Sequence, residues 1–171
     1  MRRAGWLLPL LLPVLLLACS EHGNEAAPAD TTSDMGARLE AAAVVQGLVA
    51  DPAATTLVGA WARDTDRACV VDGEGGVQRI GIVSDYGEGQ GCSGSGEVSR
   101  QNERLRVTIG ACRFAARFEG DRIEFPGELP PACDTLCRGR ASLAGFAVER
   151  QSESASEAAM LRGRGGRKLC G

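Results

Sequence analysis

The stretch Arg104-Leu105-Arg106-Val107-Thr108-Ile109 alternates polar and apolar side chains along its whole length. Successive side chains of a β-strand point to opposite faces, so this pattern places Leu105, Val107 and Ile109 on one face and the charged groups on the other. The stretch therefore predicts a strand with one buried face and one face in water, as is typical of antiparallel sheets.

The segments around this strand repeat its pattern. Residues 112–118 and 122–125 also alternate, and Gly120-Asp121 between them has the composition of a tight turn. Weaker strand patterns, separated by glycine-rich turns, occupy residues 57–62, 68–72, 77–83, 97–100 and 141–150. The sequence therefore predicts a mainly β fold, a small antiparallel barrel or sandwich of about seven or eight strands.

Helical patterns lie on both sides of the strands. Residues 34–52 carry spaced apolar residues and end at the stop signal Asp51-Pro52, while residues 152–161 contain two alternative capping residues, Ser154 and Ser156. We predict an N-terminal helix over 34–52 and a short C-terminal helix inside a β-rich domain over 53–171. The first helix either packs on that domain or lies at a membrane surface, and its alanines and valines favour packing.

The N-terminus has the pattern of an export signal. Arg2 and Arg3 precede a continuous apolar run over residues 6–17, which is shorter than a bilayer span of about 20 residues. The run ends in Leu16-Leu17-Ala18-Cys19, which resembles the lipobox of bacterial lipoproteins. The alternatives are a transmembrane anchor or an ordinary signal peptide in which the cysteine occurs by chance.

The lipobox resemblance implies a specific processing of the chain. Residues 1–18 would be removed as a signal peptide, and Cys19 would carry acyl chains such as palmitate. Residues 19–33, which are small, polar and rich in alanine, would form a lipidated flexible tether. Ser20 stands where an aspartate would retain a lipoprotein at the inner membrane. The resemblance thus implies a bacterial cell-envelope protein, anchored in the outer membrane and facing the periplasm.

Six further cysteines follow the lipobox: Cys69, Cys92, Cys112, Cys133, Cys137 and Cys170. Because export takes the chain out of the reducing cytosol, an even number of cysteines predicts three disulfides that stabilise a modest core. Spacing alone leaves the pairing open. A thiolate metal site is the competing interpretation, but the C-x3-C pair at Cys133 and Cys137 has no second close pair, and the only histidine, His22, lies in the tether. We predict no metal and no cofactor.

Charge argues against nucleic-acid binding. The formal net charge is −3, and loss of Arg2 and Arg3 with the signal makes it more negative. The only locally basic stretch is Arg162-Gly163-Arg164-Gly165-Gly166-Arg167-Lys168. This stretch could contact phosphate or lipid headgroups, although a solvated, turn-rich tail is the simpler interpretation.

Gly59-Ala60-Trp61, on the first predicted strand, resembles the G-x-W motif of lipocalin-like barrels. In that family the tryptophan packs across the closed end of the barrel. The resemblance implies a cup able to hold a small apolar ligand. The alternative is a glycine that happens to precede a core tryptophan on a strand.

Ser93-Gly94-Ser95-Gly96, which follows Cys92, is similar to the inhibitory loop of the membrane-bound inhibitors of c-type lysozyme. The resemblance implies a loop or strand edge, with these four residues contacting a ligand or partner. The aromatic residue expected after that loop is missing, since Val98 and Ser99 stand there. As an alternative, serine-glycine repeats form ordinary flexible turns.

Residue types argue against an enzyme. Without a histidine in the folded part, neither a Ser-His-Asp nor a Cys-His arrangement can form. The remaining catalytic candidates are two carboxylate pairs, Asp121 with Glu124 and Glu119 with Glu128. Asp121 is better explained as a turn former and Glu124 as a solvent-facing strand residue. We therefore assign no catalytic residue.

The sequence as a whole favours a binding or interaction module at the membrane surface. Its partners would be the membrane, through the lipid anchor, and either an envelope protein or a small apolar ligand. Two alternatives stay open: an inhibitor of an extracytoplasmic hydrolase such as lysozyme, and a structural protein of envelope integrity.

Overall fold

The structure, a computed structural model, describes residues 30–49, 51 and 53–171. The predicted signal peptide, Cys19 and most of the predicted tether lie outside the described residues.

The helix α1 spans Asp30–Val45. It thus begins and ends earlier than the predicted 34–52. Beyond its last residue, Gly47 has a φ of 68°, and the Leu48 amide donates to the Ala43 carbonyl across 2.9 Å. This capping arrangement ends the helix before Asp51.

After α1, nine strands of the described chain form a single antiparallel sheet. Its strands are β1 (Gly59–Arg63), β2 (Asp66–Asp72), β3 (Gln78–Gly87), β4 (Gln90–Gln101), β5 (Arg104–Ile109), β6 (Cys112–Phe118), β7 (Arg122–Glu124), β8 (Cys137–Arg138) and β9 (Ala147–Ser152). Short 3-10 segments at Glu74–Gly76 and Pro131–Leu136 and the helix α2 (Ala155–Ala158) complete the fold.

The sheet closes into an eight-stranded barrel. Strands β1 to β7 each pair with the next in the chain, and β9 lies between β7 and β1. Two-residue β8 stands outside this ring and pairs only with β4. The predicted mainly β fold is confirmed, and of the two predicted architectures the barrel is correct. Closure leaves the eight strands without a free edge on which other chains could pair.

The inward faces of the strands form the core. Leu105, Val107 and Ile109 are buried, as their alternation predicted. The largest fully buried side chains around the ring also include Trp61, Phe118, Phe125, Ile80, Ile82, Ile123 and Val148. The predicted start of the last strand, residue 141, is wrong, because β9 begins at Ala147. Leu143 and Phe146, which precede it, lie in a turn segment that packs into the core.

A second apolar cluster lies outside the ring, on β2. Cys69 faces outward from β2 and packs with Ala158 of α2 and with Leu169. Its disulfide to Cys170 holds the C-terminal segment on this outer face. Of the two predicted caps, Ser154 begins the helix α2, since its side chain accepts a hydrogen bond from the Glu157 amide. The C-terminus is therefore part of the folded domain.

Two further disulfides hold the segment that follows β7. Cys92 pairs with Cys137, which attaches β8 to β4, and Cys112 pairs with Cys133 in the second 3-10 segment. The three predicted disulfides are thus confirmed, and the structure supplies the pairing that spacing left open. Because all three join distant elements, each should contribute about 2 to 4 kcal/mol by limiting the unfolded chain.

Candidate functional site

The interior of the barrel is occupied by side chains. Trp61 and Phe118 meet edge to face, with ring centroids 6.0 Å apart. Farther along, the Phe125 ring lies 4.5 Å from that of Phe114 and 4.8 Å from that of Phe146. Eight-stranded barrels have interiors that side chains either fill or leave open for one small ligand. Here the aromatic rings pack against one another as part of the core cluster.

Trp61 is covered by an arginine that sequence reasoning missed. The Arg150 guanidinium carbon lies 4.2 Å from the centre of the Trp61 ring. The Arg150 guanidinium also donates to the carbonyl oxygens of Thr56, of Val58 across 3.3 Å and of Gly120 across 2.9 Å. Arg150 therefore links the last strand, the segment before β1 and the turn after β6.

Burial of this guanidinium has an electrostatic cost. Desolvation lowers the pKa of Arg150; the carboxylates of Glu153 and Asp121 oppose that shift, and the positive charge of Arg100 adds to it. An arginine nevertheless keeps its proton across the physiological range. Arg150 is therefore a permanent charge held by carbonyl dipoles and a ring face. It stabilises this end of the barrel and is unsuited to proton transfer.

Gly59 has a packing role in the Gly59-Ala60-Trp61 motif. A Cβ on Gly59 would overlap the Ser152 carbonyl oxygen of β9, and its φ of 146° suits glycine. The β1–β9 register also shifts between Ala60 and Trp61. This close approach lets the two strands meet where the barrel closes. The motif thus serves barrel closure and orients the tryptophan inward.

Ser93-Gly94-Ser95-Gly96 lies in a strand, so of the predicted loop or strand edge the loop is not observed. These residues lie inside β4 and pair with β3 from Val83 to Ile80. A Cβ on Gly94 would lie 2.8 Å from a methyl carbon of Ile109, and one on Gly96 would overlap the Thr108 carbonyl oxygen. The alternation is therefore a strand pattern, in which the glycines allow close packing against β5.

Two of the four candidate catalytic carboxylates take part in surface ion pairs, and a third, Glu128, is exposed. Glu124 lies 3.4 Å from Arg122, and Glu119 lies 2.9 Å from Arg117. Asp121 is exposed in the turn before β7 and accepts a backbone hydrogen bond from Arg150 through its carbonyl oxygen. Within residues 30–49, 51 and 53–171, no three side chains of the metal-ligating types converge. These carboxylates have the surroundings of ordinary surface groups.

The outer face of β5 and β6 is the candidate binding surface. The register places Arg104 opposite Arg117, Arg106 opposite Ala115, and Thr108 opposite Arg113. All four arginines are exposed. We name Arg104, Arg106, Arg113 and Arg117 the arginine face. Small Ala115 lies at its centre and leaves the guanidinium groups accessible.

Like charges directly opposite each other destabilise a strand pair. Within the described part of the chain, only Arg117 of these four arginines lies within ion-pair distance of a carboxylate, that of Glu119. Arg104, Arg106 and Arg113 have no carboxylate within 4.0 Å in the described part of a chain that is acidic as a whole. Such an arrangement gains stability when an anionic surface covers it.

The clustering of these four arginines could have been predicted from the sequence. The strands β5 and β6 are joined by Gly110-Ala111, and a two-residue hairpin fixes the register that pairs Ile109 with Cys112. Counting back from that pair brings Arg104 opposite Arg117. The alternation alone assigned these arginines to the wet face, and only the hairpin register reveals that they form one cluster.

Comparisons with family models, with curated proteins and with solved structures found no match to this chain. Among the described residues, no helix has the length and apolar content needed to cross a bilayer.

Proposed function

We propose that this chain is a bacterial cell-envelope lipoprotein that acts as a binding module at the membrane surface. The lipobox-like Leu16-Leu17-Ala18-Cys19, after a basic start and an apolar run, supports acylation of Cys19. Three disulfides suit the oxidising compartment to which such a signal leads. Ser20 supports the outer membrane, with the barrel facing the periplasm.

The observation that carries the binding role is the arginine face. Three guanidinium groups without carboxylate partners share the outer surface of one hairpin, while the chain as a whole is acidic. A tethered domain remains close to its own membrane, so anionic phospholipid headgroups are the most available partner. Each arginine near such a surface contributes about 1 kcal/mol to binding, and salt weakens this contribution.

The test measures how tightly the Cys19→Ser variant binds to lipid vesicles. This variant has no site for acylation, so acyl chains cannot mask the contribution of the arginine charges. Phosphatidylcholine vesicles with phosphatidylglycerol should retain the protein, and vesicles without it should not. The triple variant Arg104→Gln, Arg106→Gln, Arg113→Gln should lose about 3 kcal/mol, which is roughly a hundredfold in affinity.

The matched control removes three exposed arginines from other strands: Arg63→Gln, Arg67→Gln and Arg79→Gln. Both triple variants change the net charge equally, so only the position of the lost charges differs. Equal losses in the two variants, or no loss in either, would refute the arginine face as the binding surface. A purely structural envelope role predicts that no vesicle composition gives saturable binding.

A further inference from the structure

The basic stretch near the C-terminus is an ordered turn. The Gly163 amide donates to the Arg167 carbonyl across 2.9 Å, and the Gly166 amide donates to the Gly163 carbonyl across 2.8 Å. Arg162 and Lys168 form an antiparallel bridge at its base. Beyond the turn, buried Leu169 and the Cys69–Cys170 disulfide hold the chain on the barrel. The backbone of this turn is therefore positioned by folding.

A crevice of about 440 Å³ lies between this turn, the start of β4 and the segment around β8. Three arginines line it, Arg138, Arg164 and Arg167, together with the hydroxyl-bearing residues Ser93 and Thr135. None of the residues that line the crevice carries a carboxylate. We name this site the arginine crevice. It combines cations and hydroxyl groups without an internal counter-charge.

The walls of the crevice are fixed. The Cys92–Cys137 disulfide precedes Arg138, whose backbone pairs with Gly91. On the opposite side, Arg164 donates from its guanidinium to the Gly89 carbonyl and from its backbone amide to the Ser93 hydroxyl oxygen across 3.4 Å. Because that oxygen accepts, the Ser93 O–H is left to donate to a ligand. The crevice is thus organised before any ligand arrives.

Three guanidinium groups that line one crevice repel one another unless an anion lies among them. Within the described part of the chain, no carboxylate lies within ion-pair distance of Arg138, Arg164 or Arg167, since the ion pairs there involve other arginines. The planar guanidinium donates two parallel hydrogen bonds, which match the oxygens of a phosphate group. A phosphate monoester adds a second negative charge and a third terminal oxygen, which suits three cationic donors better than a diester does.

We propose that the arginine crevice binds a phosphate monoester group, with Arg138 and Arg167 as its main ligands and Ser93 as a hydroxyl donor. The group could belong to a phosphorylated lipid headgroup or to a free phosphate, because the recognising chemistry is the same. This site shares no residue with the arginine face, so its failure leaves the proposed function intact.

The test is calorimetric titration of the full-length protein, purified in a nonionic detergent, with three probes. Inorganic phosphate and dihexanoyl phosphatidic acid carry the proposed group, and dihexanoyl phosphatidylcholine is the diester control. We expect saturable binding of at least one of the first two probes and none of the third. Binding of both means that the phosphate group suffices, whereas binding of phosphatidic acid alone identifies a lipid headgroup as the source.

Arg138→Gln and Arg167→Gln should each weaken this binding about tenfold, because each removes a charged pair of donors. Arg138→Lys, which keeps the charge and loses the planar pair of donors, should show an intermediate loss. As the control, Arg63→Gln with Arg79→Gln removes two exposed arginines that lie outside both the arginine face and the arginine crevice, and it should leave the affinity unchanged. The proposal is overturned if neither phosphate probe saturates, or if the crevice variants bind as tightly as the control while retaining the native circular dichroism spectrum.

Discussion

Replacing Arg150 by methionine should destabilise the barrel far more than the same change at an exposed strand arginine such as Arg79. Methionine keeps an apolar chain against the Trp61 ring but loses the donors to three carbonyl oxygens, those of Thr56, Val58 and Gly120. Thr56 is exposed, so water can replace that bond. The carbonyl oxygens of half-buried Val58 and buried Gly120 are harder to hydrate, and they determine the size of the effect.

The expected magnitude follows from these contacts. A hydrogen bond to a charged donor contributes about 1.5 to 3 kcal/mol, so two bonds at the low end contribute about 3 kcal/mol. Loss of the cation–π contact adds about 1 kcal/mol. Relief of guanidinium desolvation and of repulsion from Arg100 offsets part of this loss. We therefore expect the free energy of unfolding to fall by about 3 kcal/mol.

The assay is equilibrium unfolding in urea, followed by circular dichroism and with the disulfides intact. Arg79→Met is the matched control, because Arg79 is exposed on β3, and such a surface change should stay within about 0.5 kcal/mol. Arg150→Lys should lie between the two, since lysine keeps the charge and loses the planar array of donors. If Arg150→Met matches the control, the argument that Arg150 holds this end of the barrel is refuted.

Two further changes test the packing. Gly96→Val places side-chain atoms against the Thr108 carbonyl oxygen and should cost at least about 2 kcal/mol, whereas Ser95→Val, which points outward, should cost far less; equal urea midpoints would contradict this assignment of faces. Replacing Cys69 and Cys170 by alanine opens the longest of the three disulfide loops and should cost about 4 kcal/mol. It should also expose the C-terminal segment to protease, and a segment that stays resistant would show that the outer apolar cluster suffices without the bond.

The hairpin of β5 and β6 could be predicted because each strand carries its own period-two pattern and the turn between them is short. Ser93-Gly94-Ser95-Gly96 could not be recognised as strand, because glycine is a turn signal in isolation. Its structural role depends on Ile109 and the Thr108 carbonyl oxygen, which lie on the next strand. The local composition of these four residues carries no information about a contact with another strand.

Arg150 and the arginine crevice also depend on contacts that local sequence patterns do not reveal. Arg150 looked like the charged end of a strand, and only barrel closure brings it over Trp61, far away in the sequence. The arginine crevice depends on the Cys92–Cys137 disulfide, and cysteine spacing did not determine that pairing. Local periodicity therefore predicts strands, whereas the sites depend on contacts between segments that are distant in the chain.

The most direct test of a lipid-anchored, disulfide-stabilised envelope protein is its intact mass after isolation from native membranes, with thiols alkylated before and after reduction. We predict a chain that begins at Cys19 and carries acyl groups, with the six remaining cysteines alkylated only after reduction. A chain that retains residues 1–18, lacks acyl groups, or has free thiols before reduction would contradict the account.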